Sequence, residues 1–279
     1  MMSSANTKMF NISNREFAQL ASFIQENYGI YLKEEKKTLV TSRLHNVLQK
    51  LGIDNFTDYY QHLISDKSGA AVEQFIEKIT TNHTFFMRES DHFQYFKEKV
   101  LPYFSYSVKS KDLRVWCAGC STGEEAYTLA MLMDEFFSYD KSKWDKKLLA
   151  TDISDKVLNI ATNGEYESEN IATLPKRWRN TYFTKSGEDK VRVNDWIKNE
   201  VIFRRFNLVT PIFPFRRKFH IIFCRNVMIY FENHTKNQLV QRFSEWLEPG
   251  GYLFIGHSES IDRNQSGFSY VMPAVYRKN

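Results

Sequence analysis

Residues 115–130 read VWCAGCSTGEEAYTLA, and three kinds of chemistry compete for them. Cys117 and Cys120 have the Cys-x-x-Cys spacing of a zinc knuckle or a redox pair. A structural zinc needs four ligands, from a second cysteine pair or from two histidines at helical spacing. Neither accompanies this pair. A thioredoxin-like pair opens its helix directly after a strand, whereas here Gly123-Glu124-Glu125 intervenes. The cysteines therefore read as small side chains in a tight loop, and no metal is expected. The third reading rests on Gly119 and Gly123. They stand between an apolar run and a helix-like run, the strand–turn–helix arrangement that cradles ligands at the edge of open α/β sheets.

The spacing is G-x-x-x-G, without the remaining glycine of a dinucleotide fingerprint, and Glu124 and Glu125 at the mouth would repel a pyrophosphate. They suit a ligand with positive charge or with hydroxyls. Asp152 closes the next apolar run, where an acceptor for ribose hydroxyls or an amine is expected. S-adenosylmethionine offers a sulfonium, an ammonium and a ribose diol. Two further clusters lie elsewhere in the chain. Residues 80–88, TTNHTFFMR, gather Asn82, Thr84 and Arg88 between two helical patterns, and residues 224–231, CRNVMIYF, follow an apolar strand. Phe206-Asn207-Leu208 ends another strand, and both strand ends belong to the carboxyl edge where such sheets bind ligands.

The elements that must hold these residues fall into two regimes. The first hundred residues show helical periodicity. One helix is capped by Ser13 or Asn14 and stopped at Gly29. A second runs over 33–51 to Gly52, and a third follows an Asp54 cap. A fourth covers 70–80, and a fifth starts near Glu89 and ends before Pro102. From about residue 107 strands alternate with helices: strands at 113–117, 147–151, 219–224 and 252–256, helices at 123–137, 154–161 and 235–247, and a closing strand at 269–277. That alternation predicts right-handed βαβ units and a mostly parallel sheet. Short alternating segments at 182–184, 190–193 and 201–206 read as an antiparallel insertion. The expected division is a helical domain over 1–105 and a sheet domain over 106–279, with a β-subdomain at about 174–208.

Composition excludes several classes. Hydrophobic residues make up 42% and charged residues 25% of 279, an ordinary globular balance. The net charge of +5 is short of a nucleic-acid signature. Residues 1–105 carry 12 Lys/Arg against 12 Asp/Glu, so the excess lies beyond them. Three cysteines do not make a disulfide framework. With no signal-like N-terminus and no membrane-length apolar run, a cytoplasmic location without membrane insertion is expected.

Taken together, TTNHTFFMRE (80–89), STGEEAYTLAM (121–131), ATDIS (150–154), FNL (206–208) and FCRNVMIYF (223–231) resemble the CheR family of chemotaxis receptor methyltransferases, in family order and over nearly the whole chain. The resemblance implies an all-α N-terminal domain, then a Rossmann-like S-adenosylmethionine-dependent methyltransferase domain with an inserted antiparallel β-subdomain. It implies protein-glutamate O-methylation of the cytoplasmic domain of methyl-accepting chemotaxis receptors, with S-adenosylhomocysteine as product. By motif position, cofactor contacts fall on Asn82, Thr84, Arg88, Glu125, Asp152, Asn207, Leu208, Arg225 and Asn226. Arg88 and Tyr230 are the pair nearest the transferred methyl. Two departures stand out. Met87 separates Arg88 from the Phe-Phe pair that family members usually place directly before it. The turn KSGEDK (185–190) has one glycine and no insertion, which argues against docking of a receptor's C-terminal pentapeptide.

The implied chemistry needs no general base, because a glutamate with a pKa of about 4.3 is already ionised. Arg88 would orient that carboxylate. Lys33, Lys36, Lys37, Arg43 and Lys50 on the second helix could read an acidic receptor face, or simply be solvated. Methylation of another protein, an RNA or a small molecule by the same cofactor fold is the alternative.

Overall fold

The computed structural model describes residues 10–81, 83–140, 143–262 and 267–279. The chain forms two compact units that divide between Thr81 and Asn82. The first holds α1 (Asn14–Tyr28), α2 (Lys37–Leu51), α3 (Phe56–Ser65) and α4 (Ala70–Ile79), with a 3₁₀ turn (Glu34–Lys36) before α2. Ser13 and Glu16 form a reciprocal capping box at the start of α1, and Gly29 and Gly52 end α1 and α2 in the left-handed conformation. Asn55 rather than Asp54 caps α3, because its side chain reaches the N–H of Asp58 at 2.8 Å. Leu20, Ile24, Leu44, Leu48, Tyr59 and Phe75 are buried in this unit.

The second unit opens with α5 (Ser90–Tyr95), a π turn (Phe96–Val100) and α6 (Leu101–Ser107). The expected stop before Pro102 is not there. The N–H of Leu101 reaches back five residues to Phe96 O, and this wide turn relieves the clash that proline causes in a regular helix. Phe93, Phe96, Val100, Leu101 and Phe104 of this segment lie in the core cluster that also contains Val115, Phe223 and Phe254 of the sheet. That packing is why the units divide at 81/82 and not at the expected 105/106.

Then follow β1 (Val115–Ala118), α7 (Glu124–Phe136), β2 (Leu148–Asp152), α8 (Asp155–Asn163), β3 (Glu165–Glu167), α9 (Lys176–Tyr182), β4 (Phe183–Lys185), β5 (Lys190–Val193), α10 (Asp195–Lys198), β6 (Val201–Arg205), β7 (Phe219–Cys224), α11 (Asn233–Trp246), β8 (Leu247–Ile255), β9 (Phe268–Met272) and β10 (Val275–Lys278). The main sheet has the order β6-β2-β1-β7-β8-β10-β9, and β3-β5-β4 form a separate antiparallel sheet. β6 is not part of the insertion, as its alternation implied. It runs parallel to β2, from Leu148↔Val201 to Asp152↔Arg205. The closing segment is likewise a hairpin of two strands. From β1 the chain moves outward through β2 to β6, then returns to the other side of β1 as β7. This reversal opens a crevice at the carboxyl ends of β1 and β7, where doubly wound sheets bind ligands.

Candidate active site

The loop after β1 is built to approach closely. Gly119 has φ +87°, and a Cβ there would stand 2.3 Å from Val227 Cγ2 on the loop after β7. Gly119 and Cys120 donate their N–H groups to Thr151 O, which stitches this loop to the end of β2. Tyr166 of β3 donates to Thr122 O at 2.7 Å, so the small sheet pins the same loop. Asp152 is the acceptor expected at the end of β2. Its Oδ2 takes the N–H of Ser121 at 2.8 Å and its Oδ1 that of Ser154 at 3.2 Å.

Arg225, directly after β7, ties the site together. Its side chain is 1% exposed. Nη1 donates to Glu125 Oε2 at 2.7 Å, Nη2 and Nε donate to Glu89 Oε2 at 3.0 and 3.3 Å, and Nη2 also donates to the backbone oxygen of Arg88. The guanidinium lies 5.0 Å from the Phe93 ring centroid. Burial pushes the Glu89 carboxyl up, but the Arg225 charge and the N–H groups of Asn226 and His257 pull it below its ordinary value overall. Glu89 also receives Asn226 Nδ2 at 3.2 Å on Oε1. Arg88, Glu125, Arg225 and Asn226, four of the expected residues, are thus joined through Glu89 and Arg225. Glu89 stands beside Arg88 within the motif, yet its role could not be read without the fold.

The remaining expected residues are placed less directly. Thr84 and Arg88 are half-buried on the loop before α5, and Arg88 Nη1 donates to His83 O at 2.6 Å. Phe86 anchors that loop by edge-to-face contacts with Tyr166 and Phe183. Asn207 follows β6 and accepts the N–H of Val209 at 3.2 Å. Leu208 is buried in the apolar cluster behind the sheet, so its backbone rather than its side chain is what remains for a ligand. Tyr230, half-exposed, closes the short turn Met228–Tyr230. Asn82 lies outside the described residues. Met87 and Glu89 have φ +61° and +56°, Ser121 +49° and Asn226 +60°. Strain concentrated at one crevice is characteristic of a functional site.

The family models decide the matter. One described as "CheR methyltransferase, SAM binding domain" matches residues 82–276, and one described as "CheR methyltransferase, all-alpha domain" matches residues 15–80. The chain belongs to the CheR methyltransferase family. A chemotaxis protein methyltransferase of Borreliella burgdorferi is 42% identical over 96% of both chains. Another, of Escherichia coli, is 34% identical over 97% of this chain and 93% of its own. The cofactor of this CheR protein is S-adenosylmethionine, and the donor set fits it. Carboxylates and amides border the crevice, and Ser121 Oγ is buried there with no hydrogen-bond partner among the described residues. Glu89, His92 and His257 each bring a ligand atom within 4.8 Å of the others. Arg225 already neutralises Glu89, however, and its charge would repel a divalent ion at that distance. Cys117, Cys120 and Cys224 are free thiols buried in the fold.

Proposed function

We propose that this methyltransferase acts on glutamate side chains of methyl-accepting chemotaxis receptors, forming glutamyl methyl esters in the receptors' cytoplasmic domains. The supporting observation is the placement of Arg88: a half-exposed guanidinium whose own backbone oxygen is held by Arg225, the residue that also braces Glu125. S-adenosylmethionine, when bound, supplies a methyl group on a sulfonium whose sulfur leaves as a neutral thioether. The chain's task is then to bind, align and dehydrate. Asp152 and Glu125 accept from the donor's polar groups, with Thr84, Asn207, Asn226 and the backbone of Leu208 lining the same crevice and Arg225 fixing Glu125; Asn82 is assigned a donor contact by its place in the motif alone. Arg88 orients an incoming carboxylate, which needs no base because it is already ionised. Loose pairing preserves its nucleophilicity, and Tyr230 lines the acceptor side. Removing water matters because a bare carboxylate is costly to bury unless partnered.

The all-α unit supports receptor docking at the two ends of the segment that runs from Lys33, ahead of the 3₁₀ turn, to Lys50 in the last turn of α2. Arg43 is committed internally, donating to Lys78 O and Thr80 O at 3.1 Å each, and Lys37 is hydrogen-bonded to Asn14. Lys33 and Lys50 remain exposed for an acidic face. No helix among the described residues is long and apolar enough to cross a membrane. Incubation with labelled S-adenosylmethionine and receptor cytoplasmic fragments tests the proposal. Alkali should release the label as methanol. Label that survives alkali would overturn ester formation and favour N-methylation.

A further inference from the structure

Glu259 lies three residues beyond Gly256, on the loop that leaves β8. Its carboxylate accepts backbone N–H groups from two loops. Oε2 receives Asn226 at 3.0 Å and Gly256 at 2.5 Å, Oε1 receives Ile229 at 3.2 Å, and Met228 contributes a fourth amide. Among the described residues no cation pairs with it, so amide dipoles alone balance the charge. Three of the four amides belong to the stretch that begins at Arg225 and ends at Tyr230. Asn226 sits there at φ +60°, a conformation that its own local preferences do not enforce. Gly256 itself fits closely against Asn226. A Cβ at Gly256 would stand 2.5 Å from Asn226 Nδ2 and 2.9 Å from its backbone nitrogen. Burial raises the Glu259 pKa in spite of the four N–H groups, so the carboxylate is held at a desolvation cost.

We infer that Glu259 is a positioning residue for methyl transfer: by gathering the amides of Asn226, Met228 and Ile229 it sets one loop conformation that places Asn226 toward the donor and Tyr230 toward the acceptor. This rests on the reading of residues 225–230 as the loop shared by both substrates. It acts through the backbone, which is why its side chain need touch neither.

Glu259→Gln is the direct test, because it keeps the shape but turns one acceptor into a donor facing amide N–H groups. Calorimetric titration with S-adenosylhomocysteine should show binding at least tenfold weaker at unchanged stoichiometry. Turnover at saturating donor should also fall at least tenfold. A merely structural role would lower the fraction of molecules that bind and leave the affinity of the rest unchanged, and that result, or wild-type affinity, overturns the inference. Should Glu259→Gln not fold, Gly256→Ala decides, since its Cβ would press Asn226 away from the carboxylate while leaving the carboxylate itself intact. Tenfold weaker binding supports the clamp, and wild-type binding overturns it. Failure of the unaltered protein to bind S-adenosylhomocysteine would instead remove the underlying reading of the loop, and the clamp with it.

Discussion

Arg88 and Arg225 are both arginines of the crevice, and they should fail in different ways when replaced. Arg225 is enclosed between Glu89 and Glu125 and is 1% exposed. Deleting one member of a buried charge cluster leaves the others uncompensated, at about 3–5 kcal/mol. Arg225→Met should therefore lower unfolding stability by that amount in urea denaturation, and a loss below about 1 kcal/mol would contradict the enclosed-pair account. Arg88 is half-buried, with its guanidinium on His83 O. Arg88→Ala should leave the unfolding transition nearly where it was and remove most methyl transfer. Unaltered turnover, or an unfolded variant, would take that role from Arg88. The distinction is one of burial: the same chemical group braces the loop when desolvated and, on the proposed mechanism, would act as a handle for substrate when it keeps contact with water.

At the scale of elements, the two loops that flank β1 and β7 are shaped against each other. Gly119 is the point of contact, with a left-handed backbone and Val227 Cγ2 2.3 Å from where its Cβ would be. Gly119→Ala should destabilise the sheet unit by about 1–3 kcal/mol and weaken donor binding. Combining it with Val227→Ala should recover part of that loss, and additive effects in the double variant would show that the contact is not the cause. Much of this architecture is legible in the chain. Apolar runs followed by glycine or a Ser154 cap locate β1, β2 and α8, because strand–turn–helix chemistry is local. β6 was not legible as a central-sheet strand. Its alternation says that one face is exposed, and nothing in residues 201–205 records that the partner is β2. The π turn was hidden for a similar reason: Pro102 signals a break, and the tolerance for it comes from the aromatic packing of Phe93, Phe96 and Phe104. In the site, Asp152 and Glu125 could be anticipated from their position at strand and helix ends. Glu89 and Glu259 could not, since each works through partners more than thirty residues away in the chain or on another loop.

For the molecule as a whole, pH should act through buried histidines. Burial lowers the His220 pKa to about 4, with Arg114 pushing the same way and Glu248 and Asp112 opposing. His220 Nδ1 accepts the N–H of Arg114 at 3.0 Å, which requires the neutral ring. The unfolded chain protonates this group near its ordinary pKa of about 6.5, while the folded chain does not until about 4. Stability from this residue is therefore complete above about pH 6.5 and declines as pH falls toward 4, by up to about 1.4 kcal/mol per pH unit. Glu124 and Glu259, both raised by burial, act in the opposite sense as they protonate. Comparing the parent with His220→Gln isolates the histidine: the parent should lose more stability than the variant between pH 7 and pH 4.5. Parallel stability curves would rule the contribution out.

The three thiols give the fold a chemical recorder of its own. Cys117, Cys120 and Cys224 are between 0% and 1% exposed, and burial drives all three away from the reactive thiolate form. A chromogenic aromatic disulfide should consequently stay colourless against the native protein and develop three equivalents of colour once the chain opens. As the reagent is increased, the rate of colour development should level off at the frequency with which the sheet comes apart unaided. Each sulfur lies on or just beyond β1 or β7, so that plateau times the opening of the strands that frame the crevice, without any added label. S-adenosylhomocysteine should slow it, and an unslowed plateau would mean that the ligand does not lock these two strands together.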